Sequence, residues 1–197
     1  MQTKRLALIA VASSLALVLA FAYAHVMSYY PVNVTLVPSA PKVIFAPGSN
    51  AGQTDINGDT IGVTVGPNGA NLTLTLHPTY ETTYYENITI IENTDTTTSY
   101  NVNITVSQAL SLPAGSKAYL IIYDKGAARS LTGWSIPLPA NGTYVAMIDL
   151  TQTTTTPINI GTLNAGGIWE VDLLVYIPEG TTPTTTTAEL YLVASPS

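Results

Sequence analysis

Asn71-Leu72-Thr73-Leu74-Thr75-Leu76 decides how this chain is read. Its even positions are all leucine and its odd positions all polar. Side chains alternate between opposite faces in a β-strand, so a period of two describes a strand with one face in a core and the other in water. The same phase returns in Asn101-Val102-Asn103-Ile104-Thr105-Val106 and in Val32-Asn33-Val34-Thr35-Leu36. Trp169, Val171, Leu173, Val175 and Ile177 share one face of a longer strand, with Glu170 and Asp172 opposite, which predicts a half-buried antiparallel strand. Residues 119–123 are apolar throughout, as in a central strand, and residues 188–193 supply a last strand.

Between these runs lie turn residues. Gly66-Pro67-Asn68-Gly69, Asn57-Gly58-Asp59 and Asn164-Ala165-Gly166-Gly167 are turns by their chemistry, and Pro38-Ser39-Ala40-Pro41 ends the first strand. The Thr tracts at 94–98, 151–156 and 181–187 are expected as loops or solvated strand edges. No convincing amphipathic helix follows residue 24. Short β-branched strands separated by Gly, Pro, Asn and Thr make the chain all-β, a sandwich or a barrel.

The first 24 residues are different. Lys4 and Arg5 precede an uncharged apolar run to Phe21, then Ala22-Tyr23-Ala24, the pattern of a signal peptide cut after Ala24. Cleavage would leave a secreted, extracellular protein beginning at His25 and free of the membrane. An uncleaved helix over residues 6–24 would instead be long enough to anchor the chain. Residues 25–41 then form an N-terminal strand with a Pro-rich linker, and 42–197 the sandwich domain. Without Lys4 and Arg5 the six basic residues fall to four against twelve acidic ones, a formal charge of −8. So acidic a surface argues against nucleic acid and anionic lipid as partners. There is no cysteine, so packing, a metal or assembly must do what disulfides do in other secreted domains.

Catalytic patterns are missing from the sequence: no G-x-S-x-G elbow, phosphate loop or H-E-x-x-H. No catalytic residue, metal ligand or cofactor site is assigned, and the chain is read as no enzyme. A mature N-terminal His25 could join His77 in a copper site, since imidazole suits that metal. His77 also stands where an ordinary strand-end histidine would. Asp55-Ile56-Asn57-Gly58-Asp59 spaces oxygen ligands like a calcium loop but lacks the distal Glu, so an Asx-rich turn is expected.

Five N-x-Thr or N-x-Ser triplets mark Asn33, Asn71, Asn87, Asn103 and Asn141 as glycosylation candidates. Asn33, Asn71 and Asn103 share the polar phase of their strands, and Asn141 sits in a turn. The segment 25–37 places Tyr30, Val32, Val34 and Leu36 on one phase, then meets proline. Such a strand is either the domain's own edge or one offered to a neighbour, where it gains main-chain hydrogen bonds and fills alternate pockets. Repeated head to tail, that contact builds a filament.

Ile61-Gly62-Val63-Thr64-Val65 with Gly66-Pro67-Asn68-Gly69, the run Tyr85-Glu86-Asn87-Ile88-Thr89-Ile90-Ile91-Glu92-Asn93-Thr94, and Ile160-Gly161-Thr162-Leu163-Asn164-Ala165-Gly166-Gly167 before residues 169–178 resemble the TasA/camelysin group of secreted fibre proteins. They resemble the bundling-pilus subunits of archaea more closely. The resemblance is one of pattern across most of residues 25–197. It implies a jelly-roll β-sandwich with an N-terminal donor strand, polymerising by donor-strand exchange into fibres that bundle laterally in a biofilm matrix. The expected function is therefore a structural filament subunit, a homopolymer at the cell surface. A secreted copper protein and a membrane-anchored binding domain are the two readings beside it.

Overall fold

The computed structural model describes residues 2–22, 40–55, 58–129, 143–182 and 184–197. It divides into two units, Met1–Pro38 and Ser39–Ser197. Within the first, α1 (Gln2–Ala22) is a single helix with Leu6, Ile9, Val11 and Leu15 exposed. No helix among the described residues is long and apolar enough to cross a membrane.

The second unit is all-β. Its strands are β1 (Val43–Pro47), β2 (Gly62–Val65), β3 (Asn71–Leu76), β4 (Glu81–Asn93), β5 (Tyr100–Gln108), β6 (Lys117–Asp124), β7 (Ala146–Asp149), β8 (Ile158–Leu163), β9 (Ile168–Ile177) and β10 (Thr186–Pro196). They form two antiparallel five-stranded sheets, ordered β1-β4-β9-β6-β7 and β2-β3-β10-β5-β8. We call these the first and second sheets. The chain crosses repeatedly between them, so most strand neighbours are distant in sequence.

The alternation read from Asn71–Leu76 is what buries the core. Leu72, Leu74 and Leu76 are at most 1% exposed, while Asn71, Thr73 and Thr75 are half-buried on the other phase. Val102, Ile104 and Val106 of β5 and Ala188, Leu190 and Leu192 of β10 extend the same layer. Across from it stand Phe45, Ile91, Leu120, Trp169, Val171, Leu173 and Val175 of the first sheet, packed in one cluster. Burying each such aliphatic side chain is worth roughly 1.5–3 kcal/mol, which is how a domain without disulfides holds its two layers together. The Gly66–Gly69 turn closes the β2–β3 hairpin through Gly69 N–H to Gly66 C=O at 2.8 Å. Gly69 has φ +67°, and a Cβ there would stand 2.6 Å from Ile44 Cβ, so glycine is required both by conformation and by the approach to β1.

Two expectations change. Strand β9 is buried on both faces: Asp172 is 0% and Leu174 1% exposed, against the half-buried strand predicted. The outer face of the first sheet carries a second apolar cluster of Ile121, Tyr123 and Leu174, onto which Tyr84, Tyr119, Ala127, Tyr144 and Met147 pack. Residues following β6 and preceding β7 thus cover a face that the sequence pattern left to solvent. The last Thr tract also yields one core residue. Thr186 opens β10 at 5% exposure and accepts a hydrogen bond from Ser111 N–H at 2.8 Å.

Candidate assembly surfaces

Three surfaces of the sandwich bear on function: the seam between β1 and β2, and the outer face of each sheet. The seam follows from hydrogen-bond parity. Gly66 N–H donates to Asn71 C=O at 3.1 Å, and the β2–β3 register pairs Gly62 with Thr75 and Thr64 with Thr73. In an antiparallel ladder alternate residues exchange bonds with one partner. Gly62 and Thr64 therefore face β3, and the N–H and C=O groups of Val63 and Val65 face outward. Before them, the edge is covered, since Ile61 exchanges bonds with Gln53 C=O and Gly52 N–H. Among the described residues none pairs with β2 beyond that point. The Val63 and Val65 side chains are half-buried against the core. At the end of this edge lies an open cleft of about 450 Å³ lined by Pro41, Ile44, Phe45, Val65 and Pro67, among others. The turn residue Gly69 bridges the two sheets there, accepting from Phe45 N–H at 2.7 Å.

The outer face of the first sheet is built around a buried charge. Strand β4 carries a bulge between Tyr85 and Thr89, where the register with β9 slips, and Asn87 adopts φ +44°. A bulge strands backbone groups, and three carbonyls and one N–H here find partners outside the ladder. Glu86 C=O accepts from Asn50 Nδ2 at 2.7 Å, Asn87 C=O from Asn50 N–H and Ile88 C=O from Gly48 N–H, both at 3.1 Å. Asn87 N–H donates to Asp172 Oδ1 at 2.7 Å, so a side chain of β9 replaces the missing ladder acceptor. Asp172 is neutralised by Arg129, whose Nε lies 2.9 Å from Oδ2, and Arg129 also reaches Glu170 at 2.8 Å. The guanidinium stands 4.6 Å over the Tyr123 ring, and the Tyr84 hydroxyl donates to Asp172 Oδ2. The hydrogen bond to Asp172 raises the Arg129 pKa, while burial and then Asp172 push the Tyr84 phenol well above its ordinary value. Charge and proton are thus fixed here, and the cluster ties the chain after β6 to the face of β9.

Among the described residues the outer face of the second sheet is uncovered and almost uncharged. Thr64, Asn71, Thr73, Thr105, Asn101 and Asn103 lie on its phase, with Tyr191 and Val193 of β10 exposed at 42% and 49% in their midst. Asn71 is the direct cross-strand neighbour of Tyr191, and Asn103 of Val193.

The candidates read from sequence fall as follows. Tyr30, Val32, Val34 and Leu36, with Asn33, Asn141 and His25, lie outside the described residues. Asn71 and Asn103 are outward on half-buried phases. Asn87 is different in kind: it occupies the bulge, and its side-chain oxygen is buried without a hydrogen-bond partner. His77 directly follows β3, with Nδ1 3.9 Å from the Asp55 carboxylate. Asp55 closes the Asx turn by accepting from Asp59 N–H at 3.0 Å. Among the described residues no three His, Asp or Glu side chains are placed to hold a metal. Sequence reasoning missed the Arg129–Asp172–Glu170 cluster. Its signal was Leu174 and Tyr176 sharing a phase with two acids, which a solvated face would not need. No family model matches this chain, and no curated protein matches it.

Proposed function

We propose that this chain is a secreted structural subunit of an extracellular filament, assembled by strand addition between copies. The observation that carries the reading is the β2 edge, unpaired among the described residues, where outward Val63 and Val65 backbone groups stand beside half-buried side chains and an apolar cleft. The donor is residues 25–37 of a second copy. Its Val32, Val34 and Leu36 would enter the seam at roughly 1.5–3 kcal/mol each when fully buried, and each new ladder bond adds about 0.5–1.5 kcal/mol. Its other phase, Asn33 and Thr35, would continue the Thr- and Asn-rich outer face of the second sheet. It would not match the Tyr- and Arg-bearing face of the first. An exposed strand edge is otherwise an aggregation hazard, and head-to-tail repetition covers it without closing a ring.

The finer fold reading is a jelly roll. Strands β3 to β10 fall into two four-stranded orders, β3-β10-β5-β8 over β4-β9-β6-β7, with β1 and β2 added at one side. That interleaving is the connectivity of paired Greek keys. It supports the resemblance to secreted fibre subunits.

Proline tests the interface. Val63→Pro removes an N–H that faces away from β3, a position where an edge strand accepts proline. Purified V63P protein is expected to keep its thermal transition but to form no filaments by negative-stain electron microscopy, as should a chain lacking residues 25–37. Normal filaments from V63P would refute the β2 acceptor edge, and normal filaments from the truncated chain would refute the donor.

A further inference from the structure

Resting on the reading of an exported chain, we infer that Asn71 and Asn103 carry N-linked glycans and that Tyr191 and Val193 are the surface on which those glycans lie. The outer face of the second sheet is polar except for these two side chains, and each is the cross-strand neighbour of a sequon asparagine. Leu192 N–H donates to Ala70 C=O, which makes Tyr191 and Asn71 a non-hydrogen-bonded pair, the closer of the two antiparallel pairings. On its other side Tyr191 faces Thr105, the hydroxyl residue of the Asn103 sequon.

The tyrosine is also held along its strand. Its hydroxyl donates to Glu189 Oε1 at 3.2 Å, two residues away on the same face of β10, and Ser107 Oγ donates to Glu189 Oε2 at 3.2 Å. A phenol reaching its i−2 neighbour runs along the strand, and at 42% exposure it leaves aromatic surface open to water. An aromatic face with a polar edge is suited to the C–H-bearing face of a sugar. The alternative occupant is a second copy of the chain. One Tyr and one Val within a carpet of Thr and Asn fall short of the apolar core that a stable interface of about 800 Å² per partner requires.

The chemistry needs a polyprenyl-phosphate-linked oligosaccharide as donor. Asn Nδ2 bonds to the anomeric carbon, the carbon–oxygen bond to the phosphate breaks, and the phosphate carrier leaves with the bonding pair. The amide loses one proton to solvent, and no electrons are exchanged.

Glycopeptide mass spectrometry of the native secreted protein should find sugar on both Asn71 and Asn103. Nitration by tetranitromethane, read by peptide mass, should modify Tyr191 several-fold more slowly in that protein than in an N71Q/N103Q variant. Tyr80, 48% exposed, serves as the internal reference, and an unchanged thermal transition shows that the variant is folded. Secreted protein unmodified at either asparagine overturns the inference and leaves the export reading standing. Modified protein in which Tyr191 reacts equally in both forms overturns the stacking. A chain retained inside the cell with Met1 intact overturns the export reading itself.

Discussion

Arg129→Met is the most informative single change in the sandwich. The arginine side chain is 9% exposed and its main partner Asp172 is fully buried. Methionine keeps much of the aliphatic bulk beneath the Tyr123 ring but strips Asp172 of its counter-ion. Leaving one half of a buried pair typically costs about 3–5 kcal/mol. Asp172 would still accept from Asn87 N–H and Tyr84 O–H, which places the loss near the lower end, about 3 kcal/mol. For a domain of this size each kcal/mol moves Tm by about 2–4 °C, so a fall of about 6–12 °C is expected in a calorimetric scan. Adding Asp172→Asn should recover most of it. The amide oxygen can still accept from the bulge, the fully buried charge is gone, and only Glu170, 16% exposed, is left without its arginine. A drop of no more than about 2 °C, as for a surface substitution, or a double variant no better than R129M, would refute the view that Asp172 serves as the bulge's anionic acceptor.

Two further expectations follow. Burial, with Asp55 and Asp59 adding to it, pushes the Tyr85 phenol from its ordinary 10.0 up to about 12. Between those values the unfolded chain has released a proton that the folded chain keeps, so stability is full below pH 10 and falls as pH rises toward about 12, by roughly 2–3 kcal/mol. Urea unfolding on either side of pH 10 should show that slope, reduced in Y85F; a slope of opposite sign would contradict the burial. In the proposed donor, Val34→Asp should abolish filaments while Thr35→Asp leaves them intact, because adjacent residues of a strand face opposite ways. Equal effects in electron micrographs would mean that the phase is misassigned.

The sequence announced its core wherever one sheet face was wet. Leu72, Leu74 and Leu76 against Asn71, Thr73 and Thr75 is a pattern that burial alone dictates, and the strand phase follows from it. It failed where both faces were covered. Asp172 is polar and fully buried, a combination that alternation cannot express, because its solvent is replaced by an arginine 43 residues earlier in the chain. The bulge in β4 was equally hidden. Tyr85-Glu86-Asn87-Ile88 contains no glycine or proline to mark it, and its stability comes from Asn50, Gly48 and Asp172, partners that no local pattern predicts. Sheet order was also beyond reach, since β9 pairs with β4 and β6 and β10 with β3 and β5.

The asymmetry between the two sheets constrains how copies can meet. Part of the first sheet's outer face is already occupied by its own chain, with Ala127 and Tyr144 packed over β6 and β9 and Arg129 locked to Asp172. Displacing that cover would expose a buried carboxylate and an apolar cluster together, so lateral contact has least to gain there. Among the described residues the second sheet's outer face is uncovered but Thr- and Asn-rich, and the proposed glycans at Asn71 and Asn103 would keep it in water. In the proposed assembly the contact is therefore made at an edge, that of β2. Val63 and Val65 offer backbone groups without a described partner and side chains already leaning on the core. A strand added there extends the second sheet and leaves its outer chemistry unchanged, provided its inward residues are aliphatic and its outward ones Asn and Thr. Val32, Val34 and Leu36 with Asn33 and Thr35 meet both conditions, and a one-residue slip would violate both at once.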